Sequence, residues 1–153
     1  MEHNLSYRLA DESDIKKIVE MLFDDPLGVA REIKGIIVFD TYTRAFNRIK
    51  ADPNQELTVV ELDGKVVGTY QLTYIQYLTH QGGLRAQIEA VRVASEWRGK
   101  GIGRQMFAYA SEQAKSKGCY IMQLTTDKRR PEALKFYESI GYVATHEGMK
   151  LKL

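Results

Sequence analysis

The stretch from Val91 to Arg104, VRVASEWRGKGIGR, constrains the fold of this chain more than any other. Its first residues end Gln87–Val93, a run rich in β-branched side chains that indicates a strand. A basic turn containing three glycines follows, and an amphipathic segment begins directly behind it. A strand, a glycine turn and a helix in this order present backbone N–H groups to an anion. We therefore expect the turn to hold a diphosphate, with the chemistry a few residues to either side.

The glycine turn matches neither of two common phosphate-binding motifs. A G-x-G-x-x-G dinucleotide motif would need glycine where the chain has Arg104, and no Lys-Ser or Lys-Thr pair follows the glycines as in a Walker A loop. A plain strand-to-helix turn remains the alternative. Three glycines in five residues exceed what such a turn needs, and three cations flank them, namely Arg98, Lys100 and Arg104. This combination favours an anion site.

The periodicity of the remaining chain predicts the element order β-α-α-β-β-β-α-β-α-β-β. The predicted strands are Leu5–Leu9, Leu57–Leu62, Val66–Leu78, Leu84–Val93, Tyr120–Thr125, Tyr142–Thr145 and Met149–Leu153. Asp63-Gly64 is a two-residue hairpin signal. Hairpins mixed with helical crossovers predict one α/β (α+β) fold: a mixed sheet of about seven strands, mostly antiparallel, with four main helices on both faces. Phe23 to Phe39 has no clear period and is interpreted as an insertion or lid.

Length and composition limit the classes of protein that need considering. The 153 residues suit a single domain over 1–153, and a net charge of +2 is too small to predict nucleic-acid binding. The one cysteine, Cys119, cannot form an intramolecular disulfide, so a cytoplasmic, reducing compartment is expected. No apolar run predicts a membrane span. The three histidines lack the spacing of metal ligands, so we expect no metal.

Two motifs resemble those of the GNAT superfamily of N-acetyltransferases. RGKGIG at residues 98–103 is similar to the Arg/Gln-x-x-Gly-x-Gly/Ala signature that binds the diphosphate of acetyl-coenzyme A in this family. FYESIGY at residues 136–142 is similar to the family's FY-x-x-x-G-[FY] segment. The predicted order of elements matches the family over nearly the whole chain. Together, the two motifs at this spacing are a far more specific signal than either alone.

The resemblance implies a place for the cofactor. The strand ending at Val93 would splay from the strand at Tyr120–Thr125 and open a V-shaped cleft, in which the backbone of Val91 and Val93 pairs with the pantetheine arm. A backbone N–H of the same strand would donate to the acetyl carbonyl oxygen, as in an oxyanion hole. The implied cofactor-binding residues are Val91, Arg92, Val93, Arg98, Gly99, Lys100, Gly101, Ile102, Gly103, Arg104 and Asp127. Asp127 departs from the family, which often has asparagine there, because aspartate cannot donate an amide hydrogen bond.

Direct transfer to an amine needs a base and an acid, and two residues are candidates. Glu89 lies two residues before Val91 and shares its strand face if no bulge intervenes, which suits the base that takes a proton from the ammonium. A solvated glutamate, or an ion pair with Arg85 or Arg92, is the alternative. Tyr137 occupies the FY position and, with a phenol pKa of about 10, is the candidate acid. Packing as a core aromatic is its alternative role.

Two interpretations are open for the basic residues beside Asp127. Lys128, Arg129 and Arg130 either offset the aspartate and reach cofactor phosphates or form a solvated charge run. Cys119 is expected to be a packed thiol. The acceptor is expected to contact Phe23–Phe46, Tyr70–Leu78 and Thr79–Arg85, and the first of these is acidic, which favours a cationic amine; its acidic residues are Asp24, Asp25, Glu32 and Asp40.

These expectations combine into one functional hypothesis. The chain is expected to be an acetyl-CoA-dependent N-acetyltransferase that acts on a primary amine, most simply of a small molecule, without a metal. Two alternatives stay open: a non-catalytic acyl-CoA-binding or interaction domain of the same fold, and a nucleotide- or RNA-binding module that uses the basic turn. The resemblance also implies a possible homodimer, because a C-terminal hairpin with exposed edges often mediates dimers in the family.

Overall fold

The computed structural model of the chain describes residues 3–24 and 39–153. These residues fall into two compact units, one up to Gln123 and one from Leu124 to Leu153, and each is described by itself. The single domain over 1–153 therefore stays a prediction. The lid predicted at Phe23–Phe39, and the acceptor contacts expected of Asp25 and Glu32, lie largely outside the described residues.

Within the described residues, the first unit contains five strands and four α-helices. The strands are β1 (Leu5–Leu9), β2 (Gln55–Leu62), β3 (Lys65–Gln76), β4 (Leu84–Val93) and β5 (Ile121–Gln123). The helices are α1 (Ile15–Phe23), α2 (Phe39–Ala51), the four-residue α3 (Thr79–Gly82) and α4 (Ile102–Ser116). In the second unit, α5 spans Pro131–Ser139. Most predicted elements are confirmed in type and position.

The sheet has the strand order β1-β2-β3-β4-β5. The first four strands pair antiparallel, and β5 pairs parallel to β4, as the mixed and mostly antiparallel prediction required. The hairpin at Asp63-Gly64 is confirmed, with φ of 50° and 73° at the two turn residues. Positive φ at both positions is the geometry that lets a two-residue turn follow the twist of the strands.

The prediction of about seven strands and four helices was wrong in number. Among the described residues, 142–145 and 149–153 form no strand, and β5 ends at Gln123 rather than Thr125. Alternating sequence makes a strand only where a partner strand pairs with it, and here Val143, Met149 and Leu151 are exposed. The additional helix is α3, a strained turn in which His80 and Gln81 have left-handed φ of 54° and 59°.

Helices cover both faces of the sheet in the first unit. On one face, Ile18 and Met21 of α1 pack with Val59 of β2. On the other face, α4 approaches so closely that a Cβ added at Gly68 would lie 2.9 Å from the sulfur of Met106. A side chain at position 68 would therefore require the Met106 side chain to shift.

Arg8 ties β1 to the start of α1 and to β2. Its guanidinium donates to both carboxylate oxygens of Asp14 at 2.7 and 2.9 Å and to Glu61 at 3.0 Å. Asp14 is 5% exposed, so its charge depends on this partner. The hydrogen bonds to Asp14 raise the pKa of Arg8 above its ordinary value.

We expect Arg8→Met to lower the free energy of unfolding by about 2–3 kcal/mol, because the substitution leaves the buried Asp14 carboxylate without its cationic partner. The loss is smaller than for a fully buried ion pair, since Arg8 itself is partly solvated. Urea unfolding followed by circular dichroism measures this change. Lys115→Met is the matched control, since the Lys115–Glu112 pair joins two exposed side chains and should contribute about 0.5 kcal/mol or less. Equal effects of the two substitutions would contradict the assigned role of Arg8.

Candidate functional site

The glycine turn ends in a helix N-terminus that has no side-chain cap. Gly99 and Gly101 have φ of 73° and 82°, a region that side chains other than glycine rarely adopt. Gly101 is the N-cap of α4, and the first intrahelical bond runs from the N–H of Gln105 to the carbonyl of Gly101 at 3.3 Å. The N–H groups of residues 101–104 are therefore left over by the helix, and they lie where anions bind.

The side chains of the turn have specific partners. Arg98 donates to the carboxylate of Asp24 at 3.0 Å, to the Asp24 carbonyl at 2.7 Å and to the Val93 carbonyl at 3.0 Å. The ammonium of Lys100 lies 4.5 Å from the centre of the Trp97 ring. In this geometry, the Arg98 side chain joins the turn to the end of α1.

His3, which precedes β1, also holds the turn in place. His3 Nε2 donates to the carbonyl of Lys100 at 3.0 Å. The side-chain amide of Gln105 donates to the carbonyl of His3 at 3.1 Å, and the His3 N–H lies 3.4 Å from the oxygen of the same amide. The carbonyl of Lys100 is thus fixed from outside the turn.

A β-bulge interrupts β4 just before the glycine turn. In the pairing with β3, Gln71 lies opposite Glu89 and Thr69 lies opposite Arg92, so Tyr70 faces two residues of β4. One of these two, Ala90, has a left-handed φ of 52°. A bulge leaves backbone groups of its extra residue outside the ladder and re-aims the side chains around it.

The bulge overturns one geometric expectation from the sequence. Glu89 was expected on the face of Val91 if no bulge intervened. Cross-strand partners share a face, so Glu89 lies on the face of Gln71, whereas Val93 lies opposite Gly68 on the face covered by α4. The extra residue shifts the alternation by one position, and Glu89 therefore faces the side of the sheet on which α1 packs.

The carboxylate of Glu89 is exposed, and it has neither an ion pair nor a hydrogen bond within the described part of the chain. The alternative of an ion pair with Arg85 or Arg92 is not seen there. Arg85 instead donates to Gln123 at 2.8 Å and stacks on the Tyr77 ring at 3.5 Å, and Arg92 donates to the carbonyl of Val91 at 2.8 Å.

The end of β4 has an open edge. Parallel pairing with β5 covers only Arg85–Gln87, so no strand of the described residues pairs with 88–93 on that side. The N–H of Ala94 donates to Val67 of β3 at 2.9 Å. Because backbone groups alternate in direction along a strand, those of Val93 and Val91 point to the open edge. The predicted splay from the following strand stays a prediction.

The second unit contains the other two predicted site residues. The half-buried Tyr137 ring lies on α5, 5.6 Å from the ring of Phe136 and 6.1 Å from that of Tyr142. Both oxygens of Asp127 accept hydrogen bonds from the guanidinium of Arg129, at 2.7 and 2.9 Å. This contact holds the pKa of Asp127 well below its ordinary value. Arg129 therefore offsets the aspartate locally.

Tyr74 and Cys119 have ordinary structural surroundings in the first unit. Tyr74 is buried and donates to Glu56 at 2.8 Å. Burial raises the pKa of the Cys119 thiol, which suits a packed cysteine. Residues 3–24 and 39–153 contain no group of three potential metal ligands, and no helix within those ranges is long and apolar enough to cross a membrane.

Several relevant residues have no local sequence signal. Ala90 is not a turn residue, and its bulge follows only from how β3 and β4 register. Asp24 pairs with Arg98 across 74 positions of sequence. The mixture of basic residues and glycines at 98–104 could predict an anion-binding turn. It could not predict which residues hold that turn in place.

Comparison with known proteins adds independent findings. A model of the acetyltransferase (GNAT) family matches residues 17–142. Glucosamine 6-phosphate N-acetyltransferase of Trypanosoma brucei brucei is 29% identical over 150 residues, which cover 98% of this chain and 97% of that protein. Aminoalkylphosphonate N-acetyltransferase of Salmonella typhimurium is 29% identical over 114 residues, or 74% of this chain and 73% of that protein.

A solved structure is more similar still. The crystal structure of a protein from Bacillus halodurans, described as a transcriptional regulator, superposes with a TM-score of 0.92 and 47% identity. The match covers 98% of this chain and 100% of the other. The two chains therefore share one fold over the matched residues.

Proposed function

We propose that this chain, which belongs to the GNAT family of acetyltransferases, transfers the acetyl group of acetyl-CoA directly to the primary amine of a small molecule. One observation carries the proposal. An exposed, unpaired carboxylate, Glu89, stands next to a bulge in the strand that leads into an uncapped, glycine-rich helix N-terminus. This arrangement offers a proton acceptor and a set of anion-binding N–H groups from one continuous segment.

The residues present fit acetyl-CoA. A Cβ atom added at Gly99 or at Gly101 would have no atom within 4 Å, so a ligand has room to approach the backbone there. The N–H groups of residues 101–104 would hold the diphosphate, and the outward backbone of Val91 and Val93 would hold the pantetheine arm. The carbonyls of Val91 and Val93 already accept hydrogen bonds from Arg92 and Arg98. When bound, acetyl-CoA supplies the activated acetyl thioester.

The chain's own groups then manage charge and protons. Glu89 takes a proton from the acceptor ammonium, directly or through water, which exposes the nitrogen lone pair. A backbone N–H at the Ala90–Val91 bulge would donate to the acetyl oxygen on which negative charge develops. Tyr137 donates the proton that the departing thiolate needs. Asp127, held by Arg129, would contact the cofactor.

Names of relatives support a small-molecule acceptor. Two relatives that match along most of their length are named for acting on glucosamine 6-phosphate and on aminoalkylphosphonate, both of which are small amines. Asp40 is exposed and lies within Phe23–Phe46, the segment expected to contact the acceptor, whereas the carboxylate of Asp24 is already paired with Arg98. Negative charge near the entrance favours a cationic amine over a neutral or anionic one.

We further propose a cytoplasmic homodimer. Val143, Met149 and Leu151 are exposed apolar side chains of the second unit, and a second copy would remove them from water. Light scattering over a range of concentrations tests the oligomeric state. A mass of one chain, 17.5 kDa, at all concentrations would rule the dimer out.

A panel of primary amines tests the central proposal. Acetyl-CoA binding is measured by calorimetry, and thiol release is measured with each amine in turn. We expect acetyl-CoA to bind without an amine and thiol release to depend on specific small amines. Acetyl-CoA binding without thiol release in the presence of any amine, together with binding of a partner protein, would favour the non-catalytic alternative.

We expect Tyr137→Phe to lower kcat by about 10²-fold or more, because general acid catalysis of thiolate departure is lost. The Kd for acetyl-CoA should remain within about twofold, since the ring and its packing against Phe136 are retained. Steady-state kinetics and calorimetry measure the two quantities. Tyr109→Phe, which removes an exposed hydroxyl on α4, is the matched control, and an equal loss of kcat in both variants would remove Tyr137 from the mechanism.

A further inference from the structure

Two short chains of side-chain amides cross the sheet face on which Glu89 lies. The first runs from Gln71 through Gln55 to Asp52, with hydrogen bonds of 2.7 and 2.9 Å. The second is built from β4 and β5, and its members are Arg85, Gln123 and Gln87, with hydrogen bonds of 2.8 and 2.6 Å. Each chain begins at a charged group that can act in only one way.

Asp52 fixes the direction of the first chain. A carboxylate only accepts hydrogen bonds, so Gln55 turns its NH₂ toward Asp52 and its oxygen toward Gln71. Gln71 must then donate to that oxygen. Its own carbonyl oxygen is left over, and it accepts no side-chain hydrogen bond from the described residues. The free end of the first chain is therefore an acceptor.

Arg85 fixes the direction of the second chain in the opposite sense. A guanidinium only donates, so Gln123 turns its oxygen toward Arg85 and its NH₂ toward the oxygen of Gln87. The NH₂ group of Gln87 donates to no side chain of the described residues. The free end of the second chain is therefore a donor.

Both free ends flank Glu89. Gln71 lies directly opposite Glu89 in the β3–β4 pairing, and Gln87 lies two residues before it on the same strand and face, ahead of the bulge. Cross-strand partners place their Cβ atoms about 5 Å apart, and alternate residues of one strand lie about 7 Å apart. The carboxylate thus has an acceptor on one side and a donor on the other, both held in fixed orientation.

We propose that these groups select a 1,2-amino alcohol, that is, a primary amine with a hydroxyl on the neighbouring carbon; this inference rests on the proposed acetyltransferase function. Glu89 and the oxygen of Gln71 accept from the ammonium, and the NH₂ of Gln87 donates to the hydroxyl oxygen. A neutral hydroxyl suits this position better than an anion, because the nearby Glu89 carboxylate repels negative charge. Gln55, Asp52, Gln123 and Arg85 act as positioning residues.

Two amines of the same shape test the selection. 1-Amino-2-propanol and isobutylamine differ by a hydroxyl in place of a methyl group. A hydrogen bond to an uncharged donor changes binding by about 1–3 kcal/mol when the donor would otherwise be left unpaired, so we expect kcat/KM to be roughly 10- to 100-fold higher for the amino alcohol. Gln87→Met keeps the length of the side chain and removes the donor, and it should bring this ratio close to one. Gln76→Met, at the far end of β3, should keep the ratio.

A binding measurement accompanies the kinetics. In ¹⁵N-labelled protein with coenzyme A, the side-chain NH₂ signal of Gln87, identified by its loss in Gln87→Met, should shift with 1-amino-2-propanol and not with isobutylamine. Equal kcat/KM for the two amines would overturn the inference while leaving the acetyltransferase proposal intact. If no amine is acetylated, that proposal fails by itself, and the NMR shift still decides: a selective shift supports the amino alcohol site, and its absence overturns it.

Discussion

We expect that replacing Glu89 with glutamine will lower kcat for amine acetylation by about 10²- to 10⁴-fold, the usual contribution of a positioned general base. Glutamine keeps the size of the side chain and its place before the bulge, but it cannot take a proton from the ammonium. The Kd for acetyl-CoA should change little, because Glu89 lies on the face opposite to Val93, and the glycine turn is untouched. Thiol-release kinetics and calorimetry measure the two effects separately.

The loss should depend on the protonation of the substrate. An amine of low pKa arrives largely deprotonated at neutral pH and needs no base, so its penalty in Glu89→Gln should be much smaller than that of an alkylamine. Glu96→Gln is the control, since Glu96 is also exposed and lies just beyond the same strand. A penalty independent of amine pKa, or one equalled by Glu96→Gln, would show that Glu89 is not the base.

We expect that replacing Gly101 with aspartate will weaken acetyl-CoA binding by roughly 100-fold. One added negative charge some 5 Å from an anion is repelled by about 3 kcal/mol at an effective dielectric constant of about 20. Gly101 is the N-cap of α4 and has a φ of 82°, so a side chain there also meets backbone strain. Calorimetric titration with acetyl-CoA measures the affinity.

Gly64→Asp controls for the strain in this comparison. Gly64 has a φ of 73° in the β2–β3 hairpin and, like Gly101, has no atom within 4 Å of an added Cβ. Both substitutions should lower the free energy of unfolding by similar amounts, about 1–2 kcal/mol. Only Gly101→Asp should raise the Kd. Unchanged affinity in Gly101→Asp would place the diphosphate elsewhere.

Much of the fold could be predicted because its signals are local. The Asp63-Gly64 hairpin follows from two residues that tolerate positive φ. The turn at 98–103 follows from its glycines, and α4 begins at Ile102, at the end of this turn, where the sequence predicted that a helix follows. In each case, a few neighbouring residues determine the backbone conformation without help from the rest of the chain.

The features that escaped prediction depend on distant partners. The bulge at Ala90 exists because β4 pairs with β3 in one register before it and in another after it. The alternating residues 149–153 predict a strand, yet they have no strand partner among the described residues and stay exposed. The two amide chains join positions as far apart as Arg85 and Gln123. Sequence periodicity cannot register contacts of this kind.

The contacts of His3 have a practical consequence for work with the purified protein. His3 bonds to the carbonyl of Lys100 and reciprocally to Gln105, so a substitution at His3 reaches the turn proposed to bind the cofactor without changing any residue of that turn. Affinities for coenzyme A derivatives are therefore best compared between preparations that carry the same residues ahead of β1.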